Sequence, residues 1–200
     1  MKKLLFWLLV ITASWTLYQR TGQVQLGPGV MAPAEPQQQM LQTPIIQQVD
    51  AYQLTELASF NITAKVLAKK NYSFDRGAQL SPTDLALGWG RMSDETVLEQ
   101  IKISQSGRFY FWRVAALPIP QREIETHSAN MHVIPENISV KYALGKVRPG
   151  DIVEMSGSLV NVLSTDNQWL WHSSLTREDT GGGACELIWV KNLRIVTPKT

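Results

Sequence analysis

The stretch that most restricts the fold runs from Arg148 to Val196, RPGDIVEMSGSLVNVLSTDNQWLWHSSLTREDTGGGACELIWVKNLRIV. Arg148-Pro149-Gly150-Asp151 has turn chemistry: proline presets φ, glycine accepts positive φ, and aspartate bonds its own backbone. The segment from Ile152 to Val162 alternates and is rich in Leu and Val at its end, which predicts a strand. Gly157 inside it predicts a bulge or sharp bend. Ser164-Thr165-Asp166-Asn167 turns the chain, and Trp169 to Ser173 is expected to return antiparallel. The loop from Leu175 to Ala184 carries Gly181-Gly182-Gly183, which are costly to order and permit a close backbone approach. Cys185 to Val190 then leads through Lys191-Asn192 into Leu193 to Val196 as the last strand.

Earlier segments predict smaller pieces. Asp50 to Leu57 reads as a short helix, Phe60 to Leu67 as a strand, and Asn71 to Gln79 as loop. Ser81-Pro82-Thr83-Asp84 has the residues of a helix start, with Leu85 to Leu87 inside and Gly88 as the stop. Ser93-Asp94-Glu95 is a second start, before Val97, Leu98 and Ile101. Trp89 between them is expected to seal this cap, or else to serve as a stacking platform. Ile101 to Val114 predicts a hairpin turning at Ser106-Gly107, with Phe109, Tyr110, Phe111 and Trp112 as core or as a ligand shelf. Pro135-Glu136-Asn137 starts a helix that Gly145 ends, and that helix is placed to plug one end of a small barrel.

The amino-terminal side sets the expected location. Met1-Lys2-Lys3 precedes an apolar run from Leu4 to Tyr18, read as a signal-anchor helix over residues 1–21 that enters the inner membrane through residues 4–18, with a cleaved signal peptide as the alternative its length allows. Trp15 and Tyr18 stand where interfacial aromatics belong, and the lysines keep the N-terminus cytoplasmic. A single-pass inner-membrane protein with a periplasmic or extracytoplasmic domain is the expectation. Residues 22–48, with Pro28, Pro33, Pro36, Pro44 and Gln37-Gln38-Gln39, predict a flexible linker. Residues 49–198 then form one exported β-rich domain, since 200 residues with 44% hydrophobic content support one core. Setting aside Lys2, Lys3, Arg20 and Glu35 leaves sixteen basic and sixteen acidic residues from position 49 onward. A neutral domain lacks the basic excess of a nucleic-acid binder, so nucleic acid is not an expected partner.

The order of turn, bent strand, hairpin and closing strand over residues 147–197 resembles the oligonucleotide/oligosaccharide-binding (OB-like) small barrel. The stretches FDRGAQLSPTDLALGWGRMSD and HSANMHVIP resemble uncharacterised bacterial single-span envelope proteins, a resemblance that implies no activity. The fold class expected is therefore α+β, mainly β: a transmembrane helix, then a small antiparallel OB-like barrel with short inserted helices.

All three histidines and the single cysteine fall between positions 127 and 185. His127, His132 and His172, with Glu186 or Asp179 as an oxygen ligand, have the chemistry of a zinc or copper site, although their spacing requires a loop. Cys185 as nucleophile, His127 or His132 as base, and Asn130 or Asp179 as its orienter make a hydrolase arrangement. The bland alternative makes Cys185 a buried small hydrophobe and pairs Arg177 with Asp179 across the loop. A non-catalytic pocket is the further reading, with Asn130, Arg177, Asp179 and Glu186 binding a ligand. The function expected is a binding or interaction domain for an envelope protein or glycan, with no cofactor; the alternative is a metal- or cysteine-dependent hydrolase on His127, His132 and Cys185.

Overall fold

The structure is a computed structural model, and it describes residues 3, 6–7, 10–12, 14, 22–166, 168–179 and 181–197. Most of the expected anchor, residues 4–18, lies outside the described residues. No helix among the described residues is long and apolar enough to cross a membrane. The membrane-spanning part of the expected fold class, and the single-pass inner-membrane location built on it, are corrected accordingly.

The fold is mainly β. In chain order the elements are β1 (Gln37–Val49), β2 (Tyr52–Asn71), β3 (Thr83–Gly88), a 3-10 turn (Gly90–Ser93), α1 (Glu95–Leu98), β4 (Ile101–Ser106) and β5 (Phe109–Val114). There follow α2 (Gln121–Thr126), β6 (Ser128–Pro135), α3 (Ile138–Lys146), β7 (Ile152–Ser164), β8 (Leu170–Trp171) and β9 (Glu186–Ile195). The larger sheet runs β1-β2-β3-β6-β9-β7-β8, and β2 also pairs with β7. That extra pairing closes β2, β3, β6, β9 and β7 into a ring. Four of its seams are antiparallel, whereas β6 and β9 run parallel, Met131 opposite Glu186. The barrel is thus larger than residues 147–197 and is not purely antiparallel. The parallel seam arises because α3 carries the chain from β6 across to the far side of the ring before β7 begins.

Alternation decides what faces inward. Phe60, Ile62, Ala64 and Val66 of β2 meet Leu85 and Leu87 of β3, Met131 and Val133 of β6, and Ile188 and Val190 of β9 in one core. Val140 and Leu144 of α3 join it, so this helix closes one end. Its start is capped as its sequence requires, with the Asn137 side chain accepting from the Val140 amide at 3.0 Å. Gly157 marks a register shift against β9, where a Cβ would stand 2.0 Å from the Trp189 carbonyl oxygen. No other residue fits that approach.

Three local expectations fail. Asp50 to Leu57 begins a twenty-residue strand rather than a helix, because Leu54 and Phe60 are both needed by apolar clusters. Ser81-Pro82-Thr83-Asp84 leads into β3, whose six residues are all buried between β2 and β6. Residues 22–48 are no flexible linker. Residues 37–49 form β1, and the preceding segment is strapped down by the Leu26 and Gly27 amides on Glu95 (2.7 Å each), Gly29 on Asp94 and Met31 and Ala32 on Ser93 (3.0 Å each).

Candidate functional site

The site lies where the β4–β5 hairpin and the loop before β9 meet the barrel rim. The hairpin turns on Gly107 and Arg108, both at positive φ (58° and 71°), one residue later than the sequence predicts. This two-residue turn aims Arg108 at the barrel. Its guanidinium reaches Asp84 at 2.8 Å, Asp75 at 2.8 Å and the Ser81 carbonyl at 3.0 Å, and stacks 3.8 Å from the Tyr72 ring centre. Beside it, Gln105 donates to Asn130 Oδ1 at 2.6 Å, Asn130 donates to the Arg108 carbonyl at 3.0 Å, and the Tyr110 hydroxyl donates to Ser128 at 3.2 Å. These contacts fix the hairpin over the outer face of β6.

Between hairpin, β6 and loop is a cavity of about 300 Å³, lined by Phe109, Phe111, Asn130, Arg177, Cys185 and Glu186 among others, with Asp179 at its edge. Glu186 keeps step with Ile188 and Val190, so it sits on the core face of β9 at the strand's first position. It is fully buried. Neither of its oxygens hydrogen-bonds to any described residue, and Arg177 Nη1, 3.8 Å from Oε1, is equally without a hydrogen bond. Arg177 is held from its other side: Nη2 donates to Gln38 of β1 at 2.9 Å, and the guanidinium lies 5.8 Å from the Phe60 ring centre.

Burial pushes the Glu186 carboxyl up to about 8, opposed by its own backbone amide, which lies close but outside hydrogen-bond geometry, and by Arg177, with Asp179 adding to the rise. Burial likewise lifts the Cys185 thiol to about 11, against the Asn130 contact at 3.7 Å. At neutral pH it is a thiol, not a thiolate nucleophile. The Tyr110 hydroxyl, buried against Ser128, is pushed up to about 12.

Asn130, Arg177, Asp179, Cys185 and Glu186 thus share one cavity, but the histidines do not join them. His127 follows α2 and places Nε2 2.9 Å from Glu35, lining a separate cavity with Thr126, Arg177 and Glu178. His132 is buried in β6, not in a loop, with Nδ1 2.9 Å from Asp84 Oδ1 but off the line a hydrogen bond needs, and its ring 4.6 Å from that of Trp171. His172 is exposed. Among the described residues no three His, Cys, Asp or Glu side chains are placed to hold a metal ion. The His127, His132 and His172 set is therefore not assembled as a zinc site, and neither His127 nor His132 lines the Cys185 cavity. Beta strand alternation is the reason: His132 faces away from the barrel core, while His127 belongs to the preceding helix end.

The sequence reading misses Arg108 and Asp84. Asp84 looks like a helix-start residue, and only the pairing of β3 with β6 reveals it as a buried anion. The one available signal is Gly107-Arg108 between two alternating runs, a turn that projects a long cation. Comparisons with protein-family models, with curated proteins and with solved structures find no match for this chain.

Proposed function

We propose that this chain is a non-catalytic binding domain that takes a glycan or a segment of a partner protein into the cavity at the barrel rim. The observation that carries the reading is Glu186: a fully buried carboxyl, on a cavity wall, with no hydrogen bond from any described residue. Buried polar groups are almost always satisfied, and one left open on a cavity wall calls for a partner from the cavity, a ligand group, ion or water. Aromatic lining and a few converging polar groups are the usual make-up of such sites. The five-strand ring, with the β4–β5 hairpin and the glycine-rich loop lining one cavity at its rim, supports the likeness to oligonucleotide/oligosaccharide-binding barrels, where connecting loops help hold the ligand. The hydrolase alternative is weaker, because the Cys185 thiol is pushed up to about 11 and no histidine stands beside it.

Thermal unfolding of the full chain with a panel of oligosaccharides and unstructured peptides tests this. A ligand that raises the Tm of the parent protein but not of Arg177→Leu supports the rim site. Equal protection of both proteins, or none from the whole panel, refutes it.

A further inference from the structure

Resting on that reading, we propose that the rim cavity recognises a neutral, hydroxylated ring, one hydroxyl of which bridges Arg177 and Glu186. In the cavity wall, Arg177 Nη1 and both Glu186 oxygens are left without a hydrogen bond. Arg177 Nη1 can only donate, and the Glu186 oxygens offer lone pairs; they stand 3.8 Å apart in the same wall. A hydroxyl accepts from one neighbour while donating to the other, so one oxygen atom serves both. An ammonium only donates. It leaves Arg177 without an acceptor and sets a second cation beside the guanidinium. A carboxylate only accepts, so it leaves the Glu186 carbonyl oxygen without a donor, and it enters a cavity whose lining already includes Glu125 and Asp179 against the single cation Arg177. Charge of either sign is therefore poorly matched, and a neutral group is well matched.

The rest of the cavity fits a ring. Phe109 and Phe111 lie on one face of β5, about half exposed, with ring centres 6.3 Å apart. They give the carbon face of a ligand an apolar support. A volume of about 300 Å³ is at the small end of ligand cavities, enough for one six-membered ring and not for a chain of them. The raised Glu186 carboxyl agrees: at neutral pH it carries its proton and adds no net charge. The groups facing it are Arg177, Asp179 and Cys185 from the loop before β9, Tyr110 from the hairpin and Glu125 from α2.

The test uses the full chain labelled with nitrogen-15, titrated separately with methyl α-glucopyranoside, cyclohexylammonium and cyclohexanecarboxylate. The glucoside is expected to shift the amides of Arg177, Cys185 to Leu187 and Ser128 to Asn130 saturably, and at least tenfold more weakly in Arg177→Leu and Glu186→Leu. Both variants are also melted. Glu186→Leu loses no hydrogen bond to a described residue, so it is expected to unfold at or above the parent Tm; a fall in Tm makes Glu186 structural and overturns the proposal. Glucoside binding that is unchanged in both variants overturns it as well. If either ion saturates these amides and the glucoside does not, the neutral-hydroxyl inference fails while the rim site stands. If none of the three does, both fail.

Discussion

Two arginine–carboxylate clusters of this molecule, each built on one fully buried carboxyl, differ in whether the arginine reaches that carboxyl. Arg108 meets Asp84 and Asp75 at 2.8 Å, rests on Tyr72 and takes a backbone carbonyl besides. Arg177 stops 3.8 Å short of Glu186 and leaves both partners without a hydrogen bond between them. The first cluster joins elements: it ties the hairpin to β3 and to the loop after β2. The second joins nothing across the gap. Charge type and burial are thus no guide to role; the distance and the bonding of each atom are. A buried pair with good bonds is costly to break, whereas a buried group without them is costly to keep.

Breaking the first cluster should have the largest effect. Arg108→Ala strands Asp84, which is fully buried, and should cost about 3–5 kcal/mol in urea unfolding. The rim cluster should show next in chemistry. With its pKa lifted from 9.0 to about 11, Cys185 holds about a hundredfold less thiolate than an ordinary thiol, so it should react with a disulfide reagent at pH 8 about that much more slowly than in urea. Removing the unbonded carboxyl should help the fold: Glu186→Leu is expected to gain about 1–3 kcal/mol. That gain should grow with pH. Glu186 is raised from 4.5 to about 8, so the folded state holds its proton longer than the unfolded chain. Its favourable contribution is complete below pH 4.5 and is lost as pH rises through 8, so melting curves of parent and variant should diverge over that range. A third pair sharpens the comparison from below. Arg76 and Asp166 are both about half exposed at 3.3 Å, and Arg76→Ala should cost under about 1 kcal/mol.

The sequence made the C-terminal strands legible because their signals are local. Gly157 announced its bulge, Asn137 its helix cap, and Cys185 to Val196 its alternation. Asn130, Arg177, Asp179 and Glu186 could be grouped because the glycine-rich loop lies between two of their elements. What stayed hidden depends on distant pairing. Ser81-Pro82-Thr83-Asp84 carries the residues of a helix start, but burial of Leu85 and Leu87 between β2 and β6 overrides local preference. The Gln- and Pro-rich segment looked unstructured because it buries little of itself. Its order comes from Glu95, Asp94 and Ser93, more than sixty positions away. His127 and His132 misled for the opposite reason: close in sequence, they fall on a helix end and a buried strand.

The strap formed by residues 22–36 also sets how this molecule would answer a mechanical load. Its amides attach in sequence, Val24 to the Pro149 carbonyl, Leu26 and Gly27 to Glu95, Gly29 to Asp94, Met31 and Ala32 to Ser93. Tension applied at residue 22 therefore reaches these attachments one after another and peels the strap like a zipper, each bond failing at small force. The barrel strands, which would have to slide past several bonds at once, feel nothing until the strap is spent. The chain thus carries, ahead of its barrel, about a dozen residues of slack that can be paid out under tension before the ligand cavity is disturbed.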